Sequence, residues 1–408
     1  MDKDSIFKII IKRKDEEMKF LLIFIDMLRP NLLNVYDNKN RENRIDKQLK
    51  MWGGTVYTNS YTPAPDTPRS NGCLWTSRYP KDNGCDNRLK YPYFFKKEDC
   101  VDLLTLLKKE GYQFNIYAHE ATGKIGEFPI SVSEIDNYSG DVKLEEYLKT
   151  LTIEKDSFTY FCLEDFHKVV TNCYAQKKYI DLGYEKIGGA LELIQRYLDI
   201  DTFDLTILFS DHGFKFRDEP YWNDYNYQLN NDRIQIFMMT HRKNEREIKY
   251  NYKLSTIMDI YPTICNYAQI DIRHEIEGID LFERKEYSSF FIEDHKTFNA
   301  ELGQTIEFWA VVNKKGRACV NCDKSWVADY EMTEEEKKEY EDILTNKASC
   351  FAENTKMRTI QRYYDECLNS YAQYYDGELR TIKKPLNERF RGCILQGIKK
   401  LKRLKHKR

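Results

Sequence analysis

Phe20-Leu-Leu-Ile-Phe-Ile25 is an uninterrupted apolar run that stops at Asp26. A short run without alternation suits a strand covered on both faces, as in a parallel sheet. Two further stretches share the pattern. Phe158-Thr-Tyr-Phe-Cys-Leu163 stops at Glu164-Asp165-Phe166-His167, and Leu205-Thr-Ile-Leu-Phe209 stops at Ser210-Asp211-His212-Gly213. In open α/β sheets ligands bind beyond the carboxyl ends of the strands, so three strands ending on polar groups predict one shared site.

Helical patterns lie between these runs. Cys100 to Gly111 is amphipathic, with a late lysine pair and a terminal glycine, and Tyr184 to Leu198 carries apolar residues near 3.6 spacing just before the Leu205 run. Strand, helix, strand alternation predicts an α/β domain with a mostly parallel sheet flanked by helices. After about residue 286 the alternation lapses. Ile306 to Val312, the turn Asn313-Lys-Lys-Gly316 and Arg317 to Val320 read as a β-hairpin, and Thr333 to Leu344 as an acidic helix. The expected organisation is a main α/β domain over 1–286, a smaller α+β portion over 287–382 and a basic tail over 383–408.

The chain has 408 residues, 41% of them apolar and 14% aromatic, which excludes a disordered polymer. Lys+Arg at 64 and Asp+Glu at 66 nearly cancel, so the overall field argues neither for nor against nucleic acid, and the local charge of the tail is read as membrane-seeking rather than nucleic-acid-binding. The first twenty residues lack a signal-peptide core, and the longest apolar run, Phe20 to Ile25, is far short of the ~20 residues that span a bilayer. A cytoplasmic protein is expected. Eleven scattered cysteines fit a reducing compartment, and Cys319 and Cys322 lack the second ligand pair of a structural zinc site. From Arg391 to Arg408 there are eight Lys/Arg and no acid, with Ile394, Ile398, Leu401 and Leu404 at helical spacing. This predicts a basic amphipathic helix that lies on an anionic membrane face, placing the protein peripherally on the inner leaflet.

The segment Gly54 to Gly84 is the richest chemically. It contains Pro65-Asp-Thr67-Pro-Arg69, then Thr76-Ser-Arg-Tyr-Pro80 and Gly84. A hydroxyl residue in a Pro-rich turn that opens a helix serves either as an ordinary N-cap or as a nucleophile near amides that favour anions. The second reading is supported by resemblance to the alkaline phosphatase and sulfatase superfamily. Sulfatases carry a nucleophile followed nine positions later by Thr-Gly-x-Tyr-Pro and then a glycine, and Thr67 stands at that spacing from Thr76-Ser-Arg-Tyr-Pro80 and Gly84. In the same order, Ile25-Asp26-Met-Leu-Arg29-Pro-Asn resembles the first metal-binding strand end and Ser210-Asp211-His212-Gly213 the second. Ile260-Tyr-Pro-Thr263 followed by Glu277-Gly-Ile-Asp-Leu281 resembles the stretch that closes the main domain.

The resemblance covers about residues 18–285 and implies an alkaline-phosphatase/sulfatase-like fold. Asp26, Asp211, His212 and Thr67 itself would hold a divalent ion, with zinc or manganese favoured by the O,O,N,O set and calcium a further candidate. Thr67 would be the nucleophile. It departs from the Cys or Ser that sulfatases oxidise to formylglycine, because its β-methyl allows only a ketone; relatives acting on phosphate esters keep an unmodified threonine. Phosphoryl transfer, in particular a phosphotransferase or phosphodiesterase on a glycan or lipid-linked precursor, is therefore expected ahead of sulfate ester hydrolysis or a non-catalytic binding role. Met27 stands where many sulfatases have a further metal-binding Asp. Asp165 and His167, with Glu164 as an alternative, are expected to supply a second ligand pair or hold a substrate oxygen. His119 corresponds to an active-site Lys of sulfatases and would touch substrate or protonate the leaving group. Arg69 would pair with a substrate oxyanion. His241 and His274 match no catalytic position.

Overall fold

The computed structural model describes residues 17–85, 97, 99–118, 135, 137–154, 156–172, 179–216, 229–299, 304–321, 325–348, 370–375 and 378–383. Strand β1 (Lys19–Ile25) lies inside an eight-stranded sheet. With β2 (Gly54–Tyr61), β3 (Gln113–Tyr117), β4 (Asn137–Tyr138), β5 (Ser157–Leu163), β6 (Leu205–Phe209), β7 (Met238–Arg242) and β8 (Ile248–Thr256), the order is β4-β3-β5-β1-β6-β7-β2-β8. Only β7 runs antiparallel to its neighbours. The three apolar runs are therefore adjacent parallel strands, with Phe24 opposite both Cys162 and Phe209. Their lack of alternation follows from cover on both faces: Phe20, Leu22 and Phe24 join one apolar cluster, Leu21, Ile23 and Ile25 the other.

Helices supply that cover. On one face lie α1 (Arg44–Trp52) and the long helix Ile180–Tyr197; on the other lie α2 (Thr67–Thr76), α3 (Leu103–Lys109) and the helix Ile260–Tyr267. Asn43 and Asp46 close a capping box on α1, and Asp102 caps α3 through the Thr105 N–H at 2.8 Å. The glycine stop predicted after α3 is Gly111, at φ 87°. Among the described residues no helix is long and apolar enough to cross a membrane.

The C-terminal hairpin and acidic helix form as the sequence predicts. Strands β9 (Ser289–Asn299), β10 (Gln304–Asn313), β11 (Gly316–Asn321) and β12 (Trp326–Ala328) make an antiparallel sheet. The helix Glu334–Lys347 follows, capped by Thr333 with Glu336. The small sheet packs on the large one. Phe291, Trp309, Val311, Ala318 and Val320 share the apolar cluster of Phe20 and α2, and the Phe291 ring stacks 3.9 Å from that of Tyr79. The short strands Ser370–Tyr375 and Glu378–Lys383 pair with each other.

The stretch around Ile260-Tyr-Pro-Thr263 is tied to α2 by Ser77, whose Oγ donates to the Met258 carbonyl at 2.9 Å and accepts the Gly278 N–H at 3.0 Å. Ser77 takes φ 53°, the left-handed conformation for which the sulfatase pattern uses glycine. Next to Met258, the Asp259 carboxylate is buried and accepts from the Ile279 and Thr256 N–H groups, each at 2.9 Å, and from the Tyr287 hydroxyl. Burial outweighs these donors and pushes the Asp259 carboxyl from 3.8 up to about 7. The folded chain thus keeps a proton that the unfolded chain has released, and stability falls as pH rises from about 4 to about 7. Urea unfolding midpoints measured across that range should show this decline, and Asp259→Asn, which cannot ionise, should flatten it while lowering stability overall.

Candidate functional site

The site is built at the carboxyl ends of β1 and β6. Asp26 follows β1 directly, and its N–H donates to the Leu163 carbonyl of β5 at 3.2 Å, so the ends of three strands meet there. The next residue, Met27, turns the chain at φ 62°, a conformation disfavoured for a bulky side chain and found where surrounding structure enforces it. What enforces it is a hydrogen bond: the Met27 N–H donates to Asp211 Oδ1 at 3.2 Å. The Met27 side chain lies in the apolar cluster, so no ligand comes from that position.

Asp211 has no exposed surface. Its Oδ1 also accepts the His212 N–H at 2.8 Å, whereas Oδ2 accepts no hydrogen bond. His212 Nδ1 lies 2.6 Å from the Gly213 carbonyl, which places the ring proton on Nδ1 and leaves Nε2 as a lone-pair donor. That Nε2 faces Asp211 Oδ2 at 3.3 Å. A buried anionic oxygen with no donor, opposite a ring-nitrogen lone pair, is an arrangement a cation relieves. Asp26, Asp211 and His212 each offer a ligand atom, all within 4.8 Å of one another. Two carboxylates and an imidazole could together hold a divalent metal ion.

Thr67 joins this group. It is the first residue of α2, and its Oγ1 is 3.3 Å from His212 Nε2. Asp66 is the N-cap, its Oδ1 accepting the Arg69 N–H at 3.3 Å. Pro68 to Thr76 are all buried, so the helix start is held by packing along its whole length. One link ties it to the Asp211–His212 turn: Ser70 Oγ donates to the Asp211 carbonyl at 2.8 Å, and Thr62 Oγ1, just after β2, donates to Ser70 Oγ at 2.9 Å. From the other side, the Gly213 N–H donates to the Arg233 carbonyl at 2.8 Å. A Cβ on Gly213 would lie 2.0 Å from the Asp232 carbonyl oxygen, which explains the glycine.

Two expectations are corrected. Arg69 has no exposed surface; its Nε and Nη2 hold Asp66 Oδ2 at 2.7 and 2.6 Å, and Nη2 reaches Asp294 Oδ1 at 3.5 Å. Burial alone would lower its pKa, but Asp66, Asp294 and Glu293 outweigh burial and raise it. Arg69 is thus engaged within the protein rather than presented to a substrate oxyanion. Asp165 and His167 lie on the helix Asp165–Asn172 and not in a loop. Positions i and i+2 of a helix point to different sides, which argues against the second ligand pair, and neither joins the Asp26, Asp211, His212 group; the other role expected of them, holding a substrate oxygen, stays an expectation. Glu164 pairs with Lys168 at 2.7 Å. His241 is buried against the Gly53 carbonyl and Asp201, and His274 meets the Tyr261 hydroxyl at 2.9 Å, both structural contacts. His119, Cys322 and the basic tail 391–408 lie outside the described residues.

Sequence reading missed three side chains that hold the site. Arg29 Nη2 binds Asp232 Oδ1 at 2.5 Å and its Nη1 donates to the Phe214 carbonyl at 3.2 Å, bracing the turn after His212. Asp294 sits beyond the segment that resembles sulfatases, and no local pattern marks it. Asp66 was detectable, since Asp before Thr-Pro at a helix start is an N-cap signature.

The eight-stranded sheet and its flanking helices have the fold found in solved proteins of the alkaline phosphatase and sulfatase superfamily. Solved structures that share it include a 2-O GAG sulfatase (TM-score 0.59, 12% identity, 92% of this chain and 96% of that one). Others are an alkaline phosphatase superfamily protein from Vibrio parahaemolyticus (0.53, 11%, 88% and 98%) and a phosphonate monoester hydrolase from Silicibacter pomeroyi (0.51, 12%, 90% and 100%). No family model and no curated protein matches the sequence.

Gly213→Ala should destabilise the fold by about 1–3 kcal/mol, because the added methyl cannot be accommodated without moving the Asp232 backbone. Thermal unfolding of the purified variant reads this directly. Asp211→Asn should abolish tight binding of zinc or manganese in isothermal titration, since it removes the charge from the oxygen that lacks a donor.

Proposed function

We propose that the chain is a metal-dependent phosphoryl-transfer enzyme with Thr67 Oγ1 as its nucleophile. The observation that carries this reading is the 3.3 Å approach of Thr67 Oγ1 to His212 Nε2, beside the buried Asp211 carboxylate. When bound by Asp26, Asp211 and His212, a divalent ion supplies positive charge that favours the deprotonated hydroxyl and the anionic ester. The remaining work falls to the protein. The capped start of α2 fixes the direction of Oγ1 and presents backbone amides to phosphoryl oxygens. Oγ1 attacks phosphorus, the bond from phosphorus to the leaving alcohol breaks, and the alcohol takes up a proton. Water or a second alcohol then attacks phosphorus, releasing Oγ1. Protonation of the leaving group by His119 is carried by the sequence resemblance alone.

A phosphate ester on a glycan is the substrate class we favour, because the β-methyl of Thr67 prevents formation of the aldehyde that sulfatases use. Neighbours in fold bear on the glycan part: one is a GAG sulfatase, and another was solved with D-glucosamine-2-N,6-O-disulfate as its substrate. The same neighbours support sulfate ester hydrolysis as the second reading.

Purified protein supplied with zinc or manganese should be assayed on p-nitrophenyl phosphate, bis-p-nitrophenyl phosphate and p-nitrophenyl sulfate. Turnover of a phosphate ester is expected to exceed that of the sulfate. Thr67→Ala should lower kcat by ~10³-fold or more while Thr67→Ser retains activity, as expected when a nucleophile is removed or conserved. Sulfate turnover without phosphate turnover would reverse the order of the two readings, and undiminished turnover by Thr67→Ala would exclude a Thr67 intermediate.

A further inference from the structure

The nucleophile and the metal-ligating turn reach the site on separate arms of the chain, and one buried carboxylate from the C-terminal sheet touches the supports of both. Asp294, on β9, is 1% exposed. Its Oδ2 accepts Arg233 Nη1 at 2.8 Å, and its Oδ1 lies 3.5 Å from Arg69 Nη2. Arg69 is two residues into the helix that begins at Thr67, and is gripped there by the N-cap Asp66. Arg233 is the residue whose carbonyl receives the Gly213 N–H, beside the Asp232 that holds Arg29. The preceding residue on β9 adds a third tie: the Glu293 N–H donates to the Pro63 carbonyl at 2.9 Å, in the turn leading to Thr67.

The strand is shaped for this contact. Along β9 and β10 the pairing runs Thr297 with Ile306 and then Asp294 with Phe308, so β9 carries one extra residue beside Asp294. Bulges of this kind re-aim a side chain and are common next to functional sites. Two acids and two bases, Asp66, Arg69, Asp294 and Arg233, thereby form a chain of charges from the nucleophile helix to the turn behind His212. Buried charges of this sort are tolerated only in fixed mutual geometry, so the distances along the chain are stiff.

We infer that Asp294 is a positioning residue, which sets the separation of Thr67 from the Asp211, His212 pair through Arg69 and Arg233. The C-terminal sheet therefore completes the site without touching the reacting atoms. This rests on the phosphoryl-transfer reading for its kinetic consequences but not for its structural one, which is the geometry of the metal ligands.

The test uses the full chain, with zinc and manganese titrated calorimetrically and p-nitrophenyl phosphate as kinetic probe. Asp294→Asn should weaken metal affinity by about 10–100-fold, the usual effect of losing an outer partner of a metal site, and lower kcat more than it raises KM. Ile292→Ala, on the same strand and fully buried, should loosen β9 while leaving metal affinity unchanged. If Asp294→Asn fails to fold, Asp294→Asn/Arg233→Gln removes acid and base together, restoring the fold with affinity still lowered. Metal affinity of wild-type strength in the folded Asp294 variants, or an equal loss in Ile292→Ala, would overturn the inference. A wild-type chain that binds metal but turns over no ester would overturn the phosphoryl-transfer reading alone; one that binds neither ion would overturn both.

Discussion

The Asp211 carboxylate organises this molecule. One of its oxygens accepts the backbone N–H groups of Met27 and His212, and its own carbonyl accepts the hydroxyl of Ser70. Through these contacts a single residue at the end of β6 locks the turn after β1, the orientation of His212 and the helix that begins at Thr67. The strain at Met27 is sustained by the same contact. Replacing the carboxylate would therefore disturb more than a ligand, because its inner oxygen is a structural acceptor and only its outer oxygen is available for chemistry.

Around that centre the stabilising forces divide by layer. The large sheet is held by apolar cover on both faces, which needs no directional partner and tolerates a chain with little sequence similarity to its neighbours in fold. The site is held by charge and hydrogen bonding, which do need direction. Arg29 with Asp232, Arg69 with Asp66, and Arg233 with Asp294 all surround the Asp211–His212 turn and the helix that begins at Thr67. Desolvation makes each charge costly alone, so the pairs act as constraints on geometry more than as sources of net stability.

What the sequence makes legible follows the same division. The three apolar strands, the C-terminal hairpin and the helix after Thr333 could be read because each declares itself over a few consecutive residues. The grouping of Asp26, Thr67, Asp211 and His212 could be read because each sits at a strand end or helix start. Asp165 and His167 were misplaced because the acids at Glu164 and Asp165, read as the end of a strand, equally open the helix that follows. The partner of Arg69 was hidden for a different reason. A buried ion pair between α2 and β9 leaves no periodicity in the chain, and Arg next to a nucleophile looks the same whether it faces substrate or an internal carboxylate. The reversal of β7 is likewise invisible to apolar patterning, which is the same for either strand direction.

The placement of β1 has a consequence for how the protein comes to exist. From Phe20 onward this strand is apolar, yet its partners arrive late: beside it the Met18 N–H bonds to Asp156, 138 positions away, and the Lys19 N–H to Asp204, 185 positions away. At ~5–20 residues per second, a ribosome takes on the order of ten to forty seconds to deliver both. Throughout that time a sticky, unpaired strand trails from the exit tunnel, and contacts of such long range also form slowly in a released chain. The residues grouped at the site, 26, 67, 211 and 212, come together only after the central strands have paired, so a cation held there would be captured at the end of folding and not at its beginning.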